Sequence, residues 1–197
     1  MSSAAGKFTP IRAERVILRQ WIDSDRDAFA ALSADPEVME YFPARLSRAE
    51  SDAFVDRAAQ LIADNDWGLW AVEHNGGFIG FTGLSVPSFA GPFPPGAVEV
   101  GWRLARSAWG QGFATEAAEA ALDFGLRRLG LPEIVSFTSV NNRRSRAVMQ
   151  RIGMTHDPND DFEHPRLPSG HPLRMHVLYR RSRPVGSEHA ADSHATP

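Results

Sequence analysis

Between Ala97 and Leu129 the hydrophobic pattern changes period within a few residues, and few architectures accommodate that change. Ala97 to Leu104 alternates, with Val98, Val100, Trp102 and Leu104 on one face and Glu99, Gly101 and Arg103 on the other, as a half-buried strand does. From Phe113 to Leu129 the apolar residues recur at helical spacing through Ala114, Ala117, Ala118, Ala121, Leu122, Gly125 and Leu129. Glu116 and Glu119 near the start of this helix, and Arg127 and Arg128 near its end, complement its dipole. Gly130 and Pro132 stop it. The connection carries Gly110 and Gly112, which let the main chain approach a ligand closely and turn successive N–H groups outward. The helix start adds unpaired amides and a partial positive charge. Strand, glycine loop and helix together predict a site for a phosphate or pyrophosphate.

The rest of the chain builds a frame for this unit. Arg15 to Trp21 reads as a strand. Asp23 or Ser24 caps a helix through Ala34, and Pro36 opens a short helical turn carrying Val38, Met39 and Phe42. Ser47-Arg-Ala-Glu50 is a capping box, predicting a helix to about Ala63. Leu69 to Leu84 alternates around Asn75-Gly-Gly77, the signature of a hairpin. Pro87 to Gly96 is a proline-rich loop, Glu133 to Val140 a strand, Arg143 to Ile152 a helix closed by Gly153, and Met175 to Arg181 a last strand. Strands alternate with helices in the second half, so the residues predict one α/β or α+β domain on a mixed sheet. Its body spans 12–183, between a flexible 1–11 segment and a tail at 184–197 whose Ser, Ala, His and Pro have little to bury.

Composition narrows the chemistry. At 197 residues with 43% apolar and 23% charged residues the chain can form one packed core. Cysteine is absent, which excludes disulfides, a thiolate nucleophile and cysteine-ligated metal centres, and fits a reducing, cytoplasmic setting. His164, His171 and His176 lack metal-motif spacing, so no metal is expected. No run of eighteen apolar residues exists, and Met1 to Lys7 has no apolar stretch, so neither a membrane span nor a secretory leader is expected. The net charge of −3 argues against a general nucleic-acid binder. Lys7 is the only lysine among 21 basic residues, a bias of composition rather than a recognition surface.

Two common phosphate motifs fail here. No Lys-Ser or Lys-Thr follows the glycines, as a Walker loop requires. The third glycine of a dinucleotide fingerprint would fall at Thr115, with no early βαβ unit around it. Trp109-Gly-Gln-Gly-Phe-Ala114 instead resembles the pyrophosphate loop of the GNAT superfamily of acetyl-CoA-dependent N-acetyltransferases. It is most similar to the branch of ribosomal-protein N-terminal acetyltransferases, RimJ/RimL type. A second block resembles that branch too: the strand end Thr138 to Asn142, the helix start Asn142-Arg-Arg-Ser145, and Arg151-Ile-Gly-Met154 with Met154 where Phe is usual. Leu18 to Trp21 and Asp35 to Val38 look like the branch's opening signatures, and the similarity spans roughly Arg15 to Tyr179.

The resemblance implies a single domain with a central, mostly antiparallel twisted sheet, helices on both faces and splayed central strands. It implies acetyl-CoA as co-substrate and an amine as acceptor. The strand at Trp102, Arg103 and Leu104 would meet the pantetheine arm, and the amides of Gly110, Gln111, Gly112, Phe113, Ala114 and Thr115 the pyrophosphate. Asn142 would contact the pantetheine side, with Ser145 beside it. The arginines at 143, 144, 146 and 151 either meet the 3′-phosphate of coenzyme A or are surface charges of their helix.

Glu99 is the candidate general base, because attack on a thioester needs a neutral amine while free α-amines titrate near ~8 and lysine near ~10.4. The alternative is a surface glutamate or a partner for Arg103. Many superfamily members protonate the thiolate with a tyrosine seven residues after the motif asparagine, but Met149 stands there. Ser145 is the remaining donor, or else merely satisfies a backbone amide at its helix start. The acidic, proline-rich stretch 157–172 either offers carboxylates to a cationic amine or is a solvated loop. The acceptor stays open between a protein or peptide α-amine and a small metabolite or drug amine, and a non-catalytic acyl-CoA sensor is the third reading. Dimers are common in the resembling branch, so a homodimer is the expected assembly.

Overall fold

Ser47 caps its helix as the Ser-x-x-Glu spacing requires. Its Oγ accepts from Glu50 N–H at 3.3 Å while Glu50 accepts from Ser47 N–H at 2.8 Å, and helix α2 runs Arg48–Asn65. In the computed structural model, which describes residues 8–183, helix α1 (Asp25–Ala34) starts differently from expectation. Neither Asp23 nor Ser24 caps it with its side chain. Instead the buried Asp25 carboxylate accepts from Ile22 N–H at 3.0 Å and from both Arg19 terminal nitrogens at 2.7 and 2.9 Å. The Pro36 segment makes hydrogen-bonded turns rather than a helix, with one helix-type bond from Met39 N–H to Asp35 O.

Nine strands form one sheet. These are β1 (Ile11–Arg12), β2 (Ile17–Arg19), β3 (Leu69–His74), β4 (Gly77–Ser85), β5 (Val98–Leu104), β6 (Glu133–Ser139), β7 (Thr155–His156), β8 (Phe162–Glu163) and β9 (Met175–Ser182). Their order is β1-β2-β3-β4-β5-β6-β9-β7, with β8 also on β9. Every pairing is antiparallel except β5 with β6, which is parallel. That pair is also the shortest of the central ladder. Only Val98↔Ile134 and Glu99↔Val135 face each other, although each strand runs on, to Leu104 and Ser139. The central strands therefore splay beyond Glu99, leaving main-chain groups without ladder partners. The boundary at residue 12 falls inside β1, and Phe8 already stacks on Trp70 at 5.7 Å. The expectations for 1–7 and 184–197 lie outside the described residues.

Helices lie on both faces. On one, α1 and α2 bury Phe29 and Phe54 against Trp21 and Phe81. Complete burial of a ring such as Phe29 contributes roughly 1.5–3 kcal/mol. On the other face α3 (Phe113–Asp123) and α4 (Arg143–Arg151) pack, α3 through Ala117, Ala118, Ala121 and Leu122, all fully buried. The helix expected to run unbroken to Leu129 widens into a π-helical turn at Phe124–Arg128, closed by Leu129 N–H to Phe124 O at 3.0 Å. Gly125 sits there so close to β6 that an added Cβ would lie 2.5 Å from Ile134 Cδ1. Tight packing on the sheet, not local periodicity, sets the backbone at this point.

Candidate active site

The strand–loop–helix unit has the shape that its sequence requires. After β5 a 3₁₀ turn, Arg106–Ala108, leads to Trp109, whose indole N–H donates to Leu104 O at 2.9 Å and folds the loop back on its strand. Gly110 and Gly112 have φ of 73° and 84°, left-handed values that a side chain resists. Gly112 is the residue at which α3 begins, and it has no side chain to cap the helix, so the first amides of α3 keep no side-chain partner. Gln111 is held on both sides, its Nε2 donating to Ser107 O and its carbonyl accepting from Arg15 Nη1 at 2.9 Å. Arg15 also pairs with Glu116 at 2.8 Å. Burial works against the charge on Glu116, but hydrogen bonds from Arg15 and Val16 keep its pKa below the usual range. The N-terminal segment thus braces the loop from behind.

Main-chain alternation along β5 decides what each residue offers. Ala105 N–H bonds to Ile79 O, and Arg103 and Phe81 are paired, so odd-numbered residues turn their main-chain groups to β4. Trp102 and Leu104 turn theirs into the splay; Leu104 O is taken by Trp109 and Val100 O by Ser136 Oγ at 2.8 Å. Of the three residues expected along the pantetheine arm, Arg103 differs from its neighbours. Its main chain faces β4, and its side chain leaves on the opposite face of the sheet from α3.

Asn142 caps α4, accepting from Ser145 N–H at 3.2 Å and donating to Thr138 Oγ1 and Ser145 Oγ at 3.0 and 3.1 Å. Ser145 is therefore the capped residue rather than the cap, and because its oxygen accepts from Asn142, its hydroxyl proton is free to point into the cleft. Met149 lines the same wall. Arg143, Arg144 and Arg151 line the cleft as well, Arg144 lying over the Trp109 ring at 4.4 Å, whereas Arg146 donates to Val140 O.

The splay opens into a cleft of about 970 Å³ that contains every expected site residue except Gln111. Volume, a positive rim and a glycine loop at a helix start suit a coenzyme A thioester. Glu99 stands at the point where β5 and β6 part. It is only half-buried because it opens on the cleft, but the protein around it removes most of its water, and this desolvation pushes its pKa up to about 8. Among the described residues nothing hydrogen-bonds its carboxylate, and no ion pair joins it to Arg103.

On the side of Glu99 the wall comes from two distant parts of the chain. The 36–43 turn contributes Glu37, Val38, Tyr41 and Phe42, and the stretch after β8 contributes His164, Leu167 and Leu173. That stretch is tied down by Arg166, which donates to Ser88 O at 2.6 Å. The carboxylates of the 157–172 stretch are engaged within the protein: Asp157 accepts from Asn159, Asp160 pairs with Arg180, Asp161 with His156 and Glu163 with Arg174. The His164 and His176 rings lie tilted to one another at 4.9 Å between centroids, and burial lowers both pKa values, which favours their neutral forms. The sequence points to the 157–172 stretch as one that could meet the amine but does not single out these wall residues, because no local pattern distinguishes them. Among the described residues no helix is long and apolar enough to cross a membrane, and no group of three or more acidic or histidine residues is placed to hold a metal ion.

Comparison with known proteins agrees with this fold. Residues 15–155 match the model of the acetyltransferase (GNAT) domain. The FsC-acetyl coenzyme A-N(2)-transacetylase of Aspergillus fumigatus is 31% identical over 137 residues, covering 66% of this chain and 58% of that protein. An acetyltransferase from Agrobacterium tumefaciens superposes with a TM-score of 0.70 at 26% identity, over 92% of this chain and 98% of its own. RimL, a ribosomal L7/L12 alpha-N-protein acetyltransferase solved in complex with coenzyme A, superposes with a TM-score of 0.70 at 18% identity, over 88% and 98%, a likeness of fold. The chain belongs to the GNAT acetyltransferase family and is an acetyl-CoA-dependent N-acetyltransferase.

Proposed function

We propose that this acetyltransferase transfers acetyl to a primary amine by direct attack within a ternary complex, with Glu99 as general base. The observation that carries the reading is the position of Glu99: a carboxylate with a raised pKa and no partner, at the fork of the two strands whose splay forms the cleft. Acetyl-CoA supplies a thioester carbonyl with coenzyme A thiolate as leaving group. The amides from Gly110 to Thr115 hold the pyrophosphate, and the main-chain groups of Trp102 with the Leu104 N–H, which turn into the splay, hold the pantetheine arm. Asn142 reaches that arm from the α4 side.

In the reaction Glu99 accepts a proton from the incoming amine, a C–N bond forms and the C–S bond breaks. Main-chain N–H groups of β5 facing the splay stabilise the charge that gathers on the carbonyl oxygen. The Ser145 hydroxyl donates toward the departing sulfur. A base with a pKa of about 8 is well matched to an α-amine near ~8. The absence of cysteine leaves no thiol for an acyl-enzyme.

The similarity of the sequence blocks to the RimJ/RimL-type branch favours a peptide α-amine as acceptor, and the name of the Aspergillus relative favours an N(2) amine of a smaller molecule. Thiol release from acetyl-CoA, measured with peptides bearing free α-amines, lysine peptides, polyamines, amino acids and aminoglycosides, separates the two. Turnover confined to α-amine peptides supports the first. Turnover on small amines supports the second, and no turnover with any amine despite tight acetyl-CoA binding overturns the catalytic reading in favour of a sensor.

A further inference from the structure

Arg103 is the one cleft-lining arginine whose guanidinium is buried without a hydrogen bond. Among the described residues nothing accepts from its Nε or its Nη1, and both are closed off from water. The charged groups that could answer it are engaged or distant: Glu37 pairs with Arg106, and Glu99 makes no ion pair with it. What touches the guanidinium is aromatic. It lies over the Phe42 ring at 4.0 Å and the Phe81 ring at 5.4 Å. Stacking of this kind uses the flat face of the group and leaves its N–H edge unbonded, with Nη2, the nitrogen that is not closed off, as the point where an anion reaches it.

Burying a charge without a partner costs free energy, which a ligand returns if it brings the opposite charge. Burial accordingly lowers the Arg103 pKa to about 10, which still leaves it charged at neutral pH. Its place in the cleft indicates which ligand. Glu99, Gly101 and Arg103 share one face of β5, away from α3 and the pyrophosphate loop. Gly101 leaves the floor between the two charges open, since a Cβ there would meet only Glu99 Oε1, at 3.8 Å. The Cα atoms of Glu99 and Arg103 are roughly 13 Å apart along the strand, and the two side chains shorten the gap.

We infer that the acceptor is an amine carrying a carboxylate several bonds from the reacting nitrogen, with the amine at Glu99, the carboxylate on Arg103 and the linking atoms over Gly101. This rests on the proposed amine acetylation and narrows its substrate class. The carboxylate can belong to a small amino acid or to an acidic side chain just inside a peptide's free N-terminus, and the recognition chemistry is the same.

The test uses the full chain and matched acceptor pairs: 6-aminohexanoate against hexylamine, and Ala-Glu-Ala amide against Ala-Gln-Ala amide. The acidic member of at least one pair is expected to show a 10- to 100-fold higher kcat/KM, the range of a charge-assisted bond. The first pair responding alone points to a small amino acid and the second to a peptide. In Arg103→Met the preference is expected to collapse to within about twofold while coenzyme A affinity holds. Arg103→Lys should keep part of it. The melting temperature of Arg103→Met should hold or rise, because an unpaired buried charge is lost, whereas a purely structural arginine would lower it. Gly101→Val should abolish the preference by filling the floor.

Equal rates within both pairs, a preference that survives Arg103→Met, or a loss of coenzyme A affinity in that variant would each overturn the inference while leaving acetyl transfer standing. If no amine turns over, calorimetric titration of 6-aminohexanoate into the coenzyme A-saturated protein decides separately. Binding that Arg103→Met removes upholds the carboxylate site without catalysis. No binding overturns the site as well.

Discussion

The two sides of the cleft are assembled from different kinds of sequence. On the cofactor side, Gly110, Gly112, Asn142 and Ser145 come from two short blocks, each a strand end running into a helix start. On the acceptor side, Glu99, Arg103, Phe42, His164 and His176 come from a strand face, a turn, a long connection and the last strand. The difference follows from the ligands. A pyrophosphate and a pantetheine arm are held by main-chain groups, whose positions depend on local conformation and hence on glycines and caps. An acceptor is selected by side chains that only the folded sheet brings together.

If this division holds, variants on the two sides should fail in different ways. The largest effect is expected from Gly112→Val, which forces a β-branched residue to a φ of 84° and brings its Cβ within 3.3 Å of Arg15 Nη2. Calorimetry should show coenzyme A affinity falling by at least about 100-fold, with a stability loss of roughly 1–3 kcal/mol on denaturant unfolding. Retained affinity would show that the loop does not hold the cofactor. Glu99→Gln should do the reverse, lowering kcat by about 10²–10⁴ with coenzyme A affinity unchanged.

The raised pKa of Glu99 fixes the sign of two pH effects. As a base it works only when ionised, so kcat/KM should rise with pH up to about 8, and in Glu99→Gln the rise should become shallower, leaving only the titration of the substrate amine. For stability the folded protein keeps a proton that the unfolded chain releases between its ordinary 4.5 and about 8. Stability contributed by this group is thus present below pH 4.5 and declines as pH rises to about 8. Thermal unfolding of wild type and Glu99→Gln across this window should diverge in that direction, and parallel curves would mean that the carboxyl is not desolvated.

Smaller effects should sharpen the cofactor side. Asn142→Ala removes the cap of α4 and the bond to Ser145 together, so about 1 kcal/mol of stability should go with a loss of turnover. Ser145→Ala should leave stability nearly unchanged and slow turnover about tenfold if the hydroxyl serves the leaving sulfur. A stability loss equal to that of Asn142→Ala would mark Ser145 as structural only. Arg144→Ala should be mildest, weakening coenzyme A by a few-fold, less so at high salt.

Much of the frame was legible because its signals are local. The Ser47 capping box, the Asn75-Gly76 hairpin turn and the alternation of Val98 to Leu104 all specify conformation within a few residues. The same locality explains the misses. Apolar spacing from Phe113 to Leu129 carries no sign of the π-helical turn, which arises where Gly125 meets Ile134. Strands β7 and β8 are two residues each and exist because β9 offers its edge, so the sequence marks neither, and β8 lies within a stretch that reads as loop alone.

The sequence by itself determined the strand–glycine loop–helix unit, its helix caps and the likeness to GNAT acetyltransferases, because glycines, caps and periodicity act on neighbouring residues. Only the tertiary structure decided that β5 and β6 pair for two residues and then part, that Glu99 loses its water at that fork, and that Arg103 meets aromatic rings and no carboxylate. Those outcomes depend on distant segments converging. Desolvation and charge pairing are properties of the surroundings, and the surroundings exist only once the chain has folded.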